Sequence, residues 1–90
     1  MIKIVLSKKA KKQLKKIPAY IAVKLQKWSE DVEEFGIEEV RKIPGRHDEP
    51  LSGSRKGQRS TRLSKDYRAF YIESNNKITI NVIEVNKHDY

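Results

Sequence analysis

The sequence predicts an α+β domain of order β-α-α-β-β-β, with two N-terminal helices packed on one face of a curved, mainly antiparallel sheet. One segment has apolar residues at alternating steps of four and three, which indicates a helix with one buried stripe: Ile21, Leu25, Trp28, Val32 and Phe35. Three later segments are rich in Thr, Tyr, Ile and Val and indicate consecutive strands: 58–63, 68–73 and 77–85. Ninety residues suffice for one such domain, spanning residues 1–90.

The first strand and the first helix are predicted from alternation and capping. Apolar and other residues alternate over residues 2–6, which is typical of a short strand, and we expect it to pair at an edge of the sheet. Ser7 is a suitable N-cap, because its hydroxyl accepts a hydrogen bond from a backbone N–H of the first turn. We expect a helix over residues 8–17, which Pro18 ends.

The second helix and the strand connections follow from the positions of Gly and Asn. The helical pattern begins at Ala19, and Gly36 is a natural C-cap for it. A short helical or turn-like segment follows over residues 37–43. Residues 64–66 and 74–76 have the composition of turns, since Ser and Asn hydrogen-bond locally and Asn tolerates positive φ.

The composition indicates a polyanionic partner and argues against several kinds of site. Twenty Lys and Arg face twelve Asp and Glu, which gives a net charge of +8 and a pI near 9.8. There is no cysteine, and His47 and His88 are too few for a histidine cluster, so we expect neither a metal nor a cofactor. No apolar run approaches the roughly 20 residues of a membrane span, so we expect no membrane association and a cytoplasmic location.

A basic segment between Gly45 and Arg68 is the strongest candidate for a functional surface. Pro and Gly residues break its first part into a loop, and its second part is strand-like. From position 55 onward a single acid, Asp66, accompanies six cations: Arg55, Lys56, Arg59, Arg62, Lys65 and Arg68. Such a segment is typical of nucleic-acid binding, because Lys and Arg are attracted to the phosphate backbone whatever its nucleotide sequence.

Two details refine the candidate RNA contacts. In a strand, Arg59 shares a face with the core-like Thr61 and Leu63, so Arg62 is the stronger candidate for phosphate contact. The first helix carries a block of lysines that is either a solvated helix face or an RNA-docking surface, and its candidate contacts are Lys8, Lys9 and Lys12.

The basic segment and the chain end resemble a known family. HigB-type toxins of the RelE/ParE superfamily, GraT-like members in particular, have a signature that this chain resembles at Pro44-Gly45, Glu49, Leu51-Ser52-Gly53, Arg55, Gly57-Gln58, Ser60, Arg62 and Tyr67-Arg68. The last strand and terminal Asp-Tyr of the family are similar to Val82-Ile83-Glu84-Val85 and His88-Asp89-Tyr90. In detail the resemblance covers the C-terminal half of the chain.

The resemblance implies a RelE-like microbial RNase fold and a ribosome-dependent endoribonuclease that cuts mRNA in the A site of the 70S ribosome. The ribose 2′-OH would attack the scissile phosphate without the help of a metal. A cognate antitoxin, expected to be a helix-turn-helix DNA-binding protein, would hold the toxin inactive. Operator DNA would be contacted only through the toxin–antitoxin complex.

The resemblance also implies phosphate-binding roles for three arginines. Arg55, Arg62 and Arg68 match motif positions, and a guanidinium donates two hydrogen bonds to phosphate while keeping its charge. The alternative is a purely structural role, in which these arginines form a charge network with Glu73, Glu84 and Asp66.

The proton-transfer groups are less completely specified by the resemblance. Glu49 and Ser52 occupy the positions at which well-studied HigB toxins have a histidine and a lysine. GraT-like sequences have the same Glu and Ser at these positions. Either Glu49 is the general base, or it is a loop acid and the ribosome and substrate carry more of the chemistry. Tyr90 is expected to donate a proton or stack on a base. His88 lies beside it and titrates close to neutral pH.

Two other functions stay open at this point. A ParE-like toxin that binds DNA gyrase and cleaves nothing would share the fold but lack the basic catalytic set, so the arginine-rich segment and Tyr90 argue against it. A non-catalytic nucleic-acid-binding module would apply if charge alone explained the composition.

Overall fold

The computed structural model describes residues 2–87, in which a five-stranded sheet packs against short and long helices. The strands are β1 (Lys3–Leu6), β2 (Glu49–Pro50), β3 (Arg59–Arg62), β4 (Tyr67–Ser74) and β5 (Thr79–Lys87). The helices are α1 (Lys8–Leu14), α2 (Ala19–Phe35) and α3 (Ile37–Arg41), and two 3₁₀ turns occupy Pro44–Arg46 and Gly53–Arg55. The predicted α+β class is confirmed; α3 lies in the short helical or turn-like segment predicted over residues 37–43, and the two-residue β2 is an addition to the predicted order.

The sheet has the order β1-β5-β4-β3-β2. β1 lies at one edge of the sheet, as the sequence predicts, and runs parallel to β5. All other neighbouring strands are antiparallel. The β1 pairing stops at Leu6 opposite Val82, so the rest of β5 needs another cover. Helix α1 and its N-cap supply it, because the Ser7 hydroxyl donates to the Ile83 carbonyl at 2.8 Å and the Gln13 side chain, near the end of the helix, accepts from the Val85 N–H at 2.7 Å.

Helix α1 begins where the sequence predicts and ends earlier. The Ser7 hydroxyl accepts from the Ala10 N–H at 3.0 Å, which confirms the predicted N-cap. The helix ends at Leu14 rather than at residue 17. Pro18 disfavours helical geometry at the residue before it, and the chain turns before α2 begins.

Helix α2 supplies most of the helical part of the core. Ile21, Leu25, Trp28 and Val32 are buried, as the periodicity predicts, but Phe35 is 59% exposed. The prediction for Phe35 is therefore wrong. A stripe of period 3.5 drifts by about 20° per heptad on a straight helix, and the helix ends at Gly36, after which Ile37 of α3 takes the buried position.

The side chains of β4 and β5 alternate between the core and the opposite face of the sheet. Ala69 and Val85 are buried against the helices, and Tyr71 packs on Trp28 with ring centroids 5.3 Å apart. A register shift at Phe70/Tyr71 bends the β4–β5 ladder. The predicted turn at residues 74–76 is confirmed, with left-handed φ values at positions 75–77.

Candidate active site

A groove lies on the sheet face that the helices leave open. Cross-strand partners point to the same face of a sheet, and the pairs Ser60–Phe70, Phe70–Glu84 and Arg68–Asn86 form its floor. The groove has a volume of about 660 Å³ and is lined by Glu49, Leu51, Arg55, Ser60, Arg68, Phe70, Glu84, Asn86 and Lys87. The structure thus brings together three of the predicted catalytic residues: Glu49, Arg55 and Arg68.

Arg68 is built into the floor of this groove and is only 6% exposed. Its Nε donates to the Ser60 hydroxyl at 3.1 Å, and its Nη2 donates to the His47 carbonyl at 2.7 Å. The Glu49 carboxylate lies 3.9 Å from the same Nη2, while the Glu49 side chain itself is largely exposed. Arg68 therefore ties the segment that precedes β2 to β4, and it lies next to the accessible carboxylate of Glu49 at the start of β2.

Arg55 reaches the groove from the 3₁₀ turn Gly53–Arg55, where Gly53 adopts the left-handed φ of +64° that favours glycine. Its Nη1 donates to Gln58 Oε1 and its Nη2 donates to Glu84 Oε2, each at 2.9 Å. The guanidinium also lies over the Phe70 ring, 4.3 Å from the centroid. Arg55 is fixed in orientation, yet its Nε–H and its remaining Nη–H donors leave it able to bind a phosphate oxygen.

Glu84 is a site residue that the functional prediction missed. Its carboxylate is only 8% exposed and accepts from Lys9 Nζ at 3.0 Å, from Arg55, and from the Asn86 amide. Burial raises the pKa of Glu84, but the hydrogen bonds from Lys9 and Arg55 outweigh it and leave the pKa below its ordinary value. The signal in the sequence is an acid within the apolar run from Val82 to Val85. The structural charge network considered in the sequence analysis is present for the pair Arg55–Glu84.

Arg62 does not line this groove. It borders a second, separate pocket with Lys65, another predicted RNA contact, and with Lys24 and Lys27 of α2. The structure thus places Arg62 at a different pocket from Arg55 and Arg68, and its catalytic role stays a prediction. Because β2 pairs only with Arg59 and Ser60 of β3, Arg62 lies beyond the part of β3 that β2 covers.

Arg59 belongs to a partly buried ionic cluster on the other side of the sheet. Its Nε donates to the fully buried Asp48 carboxylate at 2.7 Å, and the Tyr71 hydroxyl donates to the other Asp48 oxygen. Burial lowers the pKa of Arg59, but hydrogen bonding and charge from Asp48 outweigh it and raise the pKa. Burial and Asp48 both raise the pKa of Tyr71. Arg59 is thus held by Asp48, in agreement with the burial of Thr61 and Leu63 on the same face of β3, and its role as an RNA contact stays a prediction.

The remaining predicted residues divide between surface and undescribed positions. Lys8, Lys12 and Lys56 are exposed, while Lys9 reaches the groove through its contact with Glu84. His88 and Tyr90 lie outside the described residues, so their roles stay predictions. Within residues 2–87 no three His, Cys, Asp or Glu side chains converge as metal ligands, and no helix there is long and apolar enough to cross a membrane.

Comparisons with known proteins agree with this architecture. Among solved structures, a YoeB/ParE toxin from Agrobacterium tumefaciens superposes with a TM-score of 0.74 at 19% identity, covering 98% of this chain and 100% of that one. YafQ from E. coli strain BL21(DE3) gives 0.76 at 19% identity, covering 98% and 94%. The YoeB–YefM complex from Staphylococcus aureus gives 0.71 at 18% identity, covering 99% of each chain. At these identities the likeness establishes the fold.

The family follows from the sequence comparison. A search of curated proteins finds no match. The family model described as the ParE toxin of the type II toxin–antitoxin system parDE matches residues 4–89, which is nearly the whole chain. The chain is therefore a type II toxin of the RelE/ParE superfamily and belongs to the ParE toxin family.

Proposed function

We propose that this toxin is a HigB-like, ribosome-dependent mRNA endoribonuclease. The observation that carries the proposal is the groove in which the fixed guanidiniums of Arg55 and Arg68 lie with the accessible carboxylate of Glu49. Two cations and a carboxylate are the groups that cleavage through the ribose 2′-OH requires, because the reaction builds negative charge on phosphate while a proton leaves the hydroxyl.

In this mechanism each groove residue has one task. Glu49 accepts the 2′-OH proton, since it is the carboxylate of the groove that is largely open to solvent. Arg55 stabilises the charge that develops on the scissile phosphate with its uncommitted N–H donors. Arg68 holds the segment before Glu49 through the His47 carbonyl and adds positive charge to the floor of the groove. Tyr90, which matches the terminal tyrosine of the family motif, or His88 two positions earlier donates the proton to the leaving 5′-oxygen.

The proposed partners follow from the family. A cognate antitoxin is the first, and the solved S. aureus YoeB structure is a complex with YefM. The substrate is mRNA on the 70S ribosome in the cytoplasm. Operator DNA is contacted through the antitoxin, which is expected to be of the helix-turn-helix type.

A second candidate function is inhibition of DNA gyrase without cleavage. Two observations favour it: the matching family model is that of ParE toxins, and Arg55 already has internal partners at both Nη atoms. The endoribonuclease is preferred because a gyrase inhibitor has no use for an accessible carboxylate beside Arg68 in an open groove.

Mapping of RNA 5′ ends after induction distinguishes these candidates. We expect new ends within codons of translated messages, whereas intact messages with an induced DNA-damage response would replace this proposal with the gyrase candidate. Arg55→Ala should lower cleavage by about 10²–10³-fold, the usual cost of removing one preorganised donor to a developing oxyanion. Lys42→Ala, which removes an exposed cation paired with Glu39 outside the groove, is the matched control.

The general base is tested separately with Glu49→Gln. We expect a loss of cleavage with antitoxin binding and melting temperature unchanged, because the Glu49 side chain is exposed and makes no short hydrogen bond. Unaltered cleavage would assign proton abstraction to the ribosome or the RNA. Arg68 variants are less informative, since they also remove the anchors to Ser60 and His47.

A further inference from the structure

The second pocket carries more uncompensated positive charge than the candidate active site. It has a volume of about 460 Å³ and is lined by Lys24, Lys27, Ile43, Gly45, Arg46, Arg62, Leu63, Ser64 and Lys65. Five of these side chains are cationic and none is acidic. The active-site groove, by contrast, includes two carboxylates, and Glu84 there pairs with both Arg55 and Lys9.

Only part of this charge is compensated internally. Asp31 pairs with Lys27 at 3.0 Å and with Arg46 at 3.3 Å. Across residues 2–87, no carboxylate lies within 4.0 Å of the charged nitrogens of Lys24, Arg62 or Lys65. Three cations at one open pocket repel one another, and a bound anion relieves this repulsion. The pocket therefore favours the binding of a polyanion.

The position of the pocket favours an extended nucleic acid. Arg62 of the pocket and Arg68 of the active-site groove are cross-strand partners, and such partners have Cα atoms only about 4.5–5.5 Å apart. One strand of nucleic acid can therefore cross the edge of β3 and contact both sites with different phosphates. The apolar side chains of Ile43 and Leu63 at the same pocket offer a surface for a ribose or base.

We propose that this pocket is a second phosphate-binding site, which holds the sugar-phosphate backbone of RNA beside the active-site groove. Lys24, Arg62 and Lys65 make the phosphate contacts, and Lys27 and Arg46 add positive charge. The inference rests on the proposed function for the identity of the polyanion as RNA. It adds α2, which none of the predicted RNA contacts includes, to the binding surface.

The test is a salt titration of RNA binding that does not depend on cleavage. The probe is a labelled 2′-O-methyl oligouridine, which lacks the free 2′-OH that the cleavage reaction needs. We expect the double variant Lys24→Gln/Lys65→Gln to bind more weakly and to reduce the slope of log K against log salt by about 1.4, since each single-strand phosphate contact contributes about 0.7. Lys42→Gln/Lys77→Gln is the matched control, because it removes the same charge from lysines paired with Glu39 and Glu38.

Equal weakening in the two double variants would overturn the inference, as would a wild-type protein that does not bind the probe. Loss of antitoxin binding without loss of RNA binding would also overturn it, by making the pocket a site for an acidic protein segment. Cleavage of messages on ribosomes is measured in parallel. Pocket-dependent RNA binding without cleavage would remove the proposed endoribonuclease and leave the RNA site standing, whereas cleavage with unaltered probe binding would remove the RNA site alone.

Discussion

Replacing Glu84 with Gln tests whether the internal carboxylate orients the active-site cations. Glu84 lies between Lys9 and Arg55, with contacts of 3.0 and 2.9 Å, and is 8% exposed. The amide keeps the size of the side chain but removes its charge. The groove then gains one unit of positive charge, and Arg55 loses its ion pair at position 84 while it keeps Gln58 and the Phe70 ring.

The expected effects on stability, binding and rate have different signs. Charge-assisted hydrogen bonds contribute about 1.5–3 kcal/mol each when buried. Because Lys9 is 62% exposed and Arg55 is 36% exposed, solvent screening reduces the loss of stability to about 1 kcal/mol. RNA binding should tighten, with a salt slope steeper by about 0.7 if one further phosphate is contacted. Cleavage should fall by about 10–100-fold, since a misplacement of about 1 Å in a positioning group costs up to that much.

The assay compares probe binding and single-turnover cleavage on ribosomes for the same protein preparations. Glu73→Gln is the matched control, because Glu73 is a partly buried acid of β4 that pairs with Arg41 outside the groove. It should lose stability while keeping its binding and its rate. Faster cleavage in Glu84→Gln would refute the reasoning and make Glu84 an inhibitory anion. If binding and cleavage in Glu84→Gln match those in Glu73→Gln, the ion pairs of Glu84 have only a structural role.

Three predictions concern stability. Asp48→Asn should lower the free energy of unfolding by about 3–5 kcal/mol, because it breaks a buried ion pair with Arg59; a loss under 1 kcal/mol in urea denaturation would contradict this. Ser7→Ala should cost about 1 kcal/mol through the lost N-cap, measured as a lower melting temperature, with the exposed Ser54→Ala unchanged. The folded-state pKa of Glu84 is lowered, so its stabilisation is present above the ordinary pKa of 4.5 and is lost as the pH falls below it. Urea midpoints should therefore fall less on acidification in Glu84→Gln than in the wild type, and parallel profiles would refute this.

Local rules predicted most of the secondary structure. Ser7 as N-cap, Gly36 as the end of α2, and the turn at residues 74–76 depend on hydrogen bonds and φ preferences within a few residues, so the sequence determines them directly. The predicted burial of Phe35 was wrong because a 3.5-residue stripe drifts around a straight helix, and α2 ends at Gly36 before Phe35 is covered. β2 escaped prediction because two residues are too few to show alternation.

The sequence by itself determined the class of domain and the basic surface, whereas the role of each arginine stays a prediction. Only the tertiary structure decided how that surface is divided. It placed Arg55 and Arg68 in one groove and Arg62 in another, and it brought Glu84 from the last strand to Arg55, 29 positions earlier in the chain. The physical reason is that a run of basic residues in the sequence does not show which of them are paired. The properties of the site depend on which anions the fold brings within hydrogen-bonding distance of each cation.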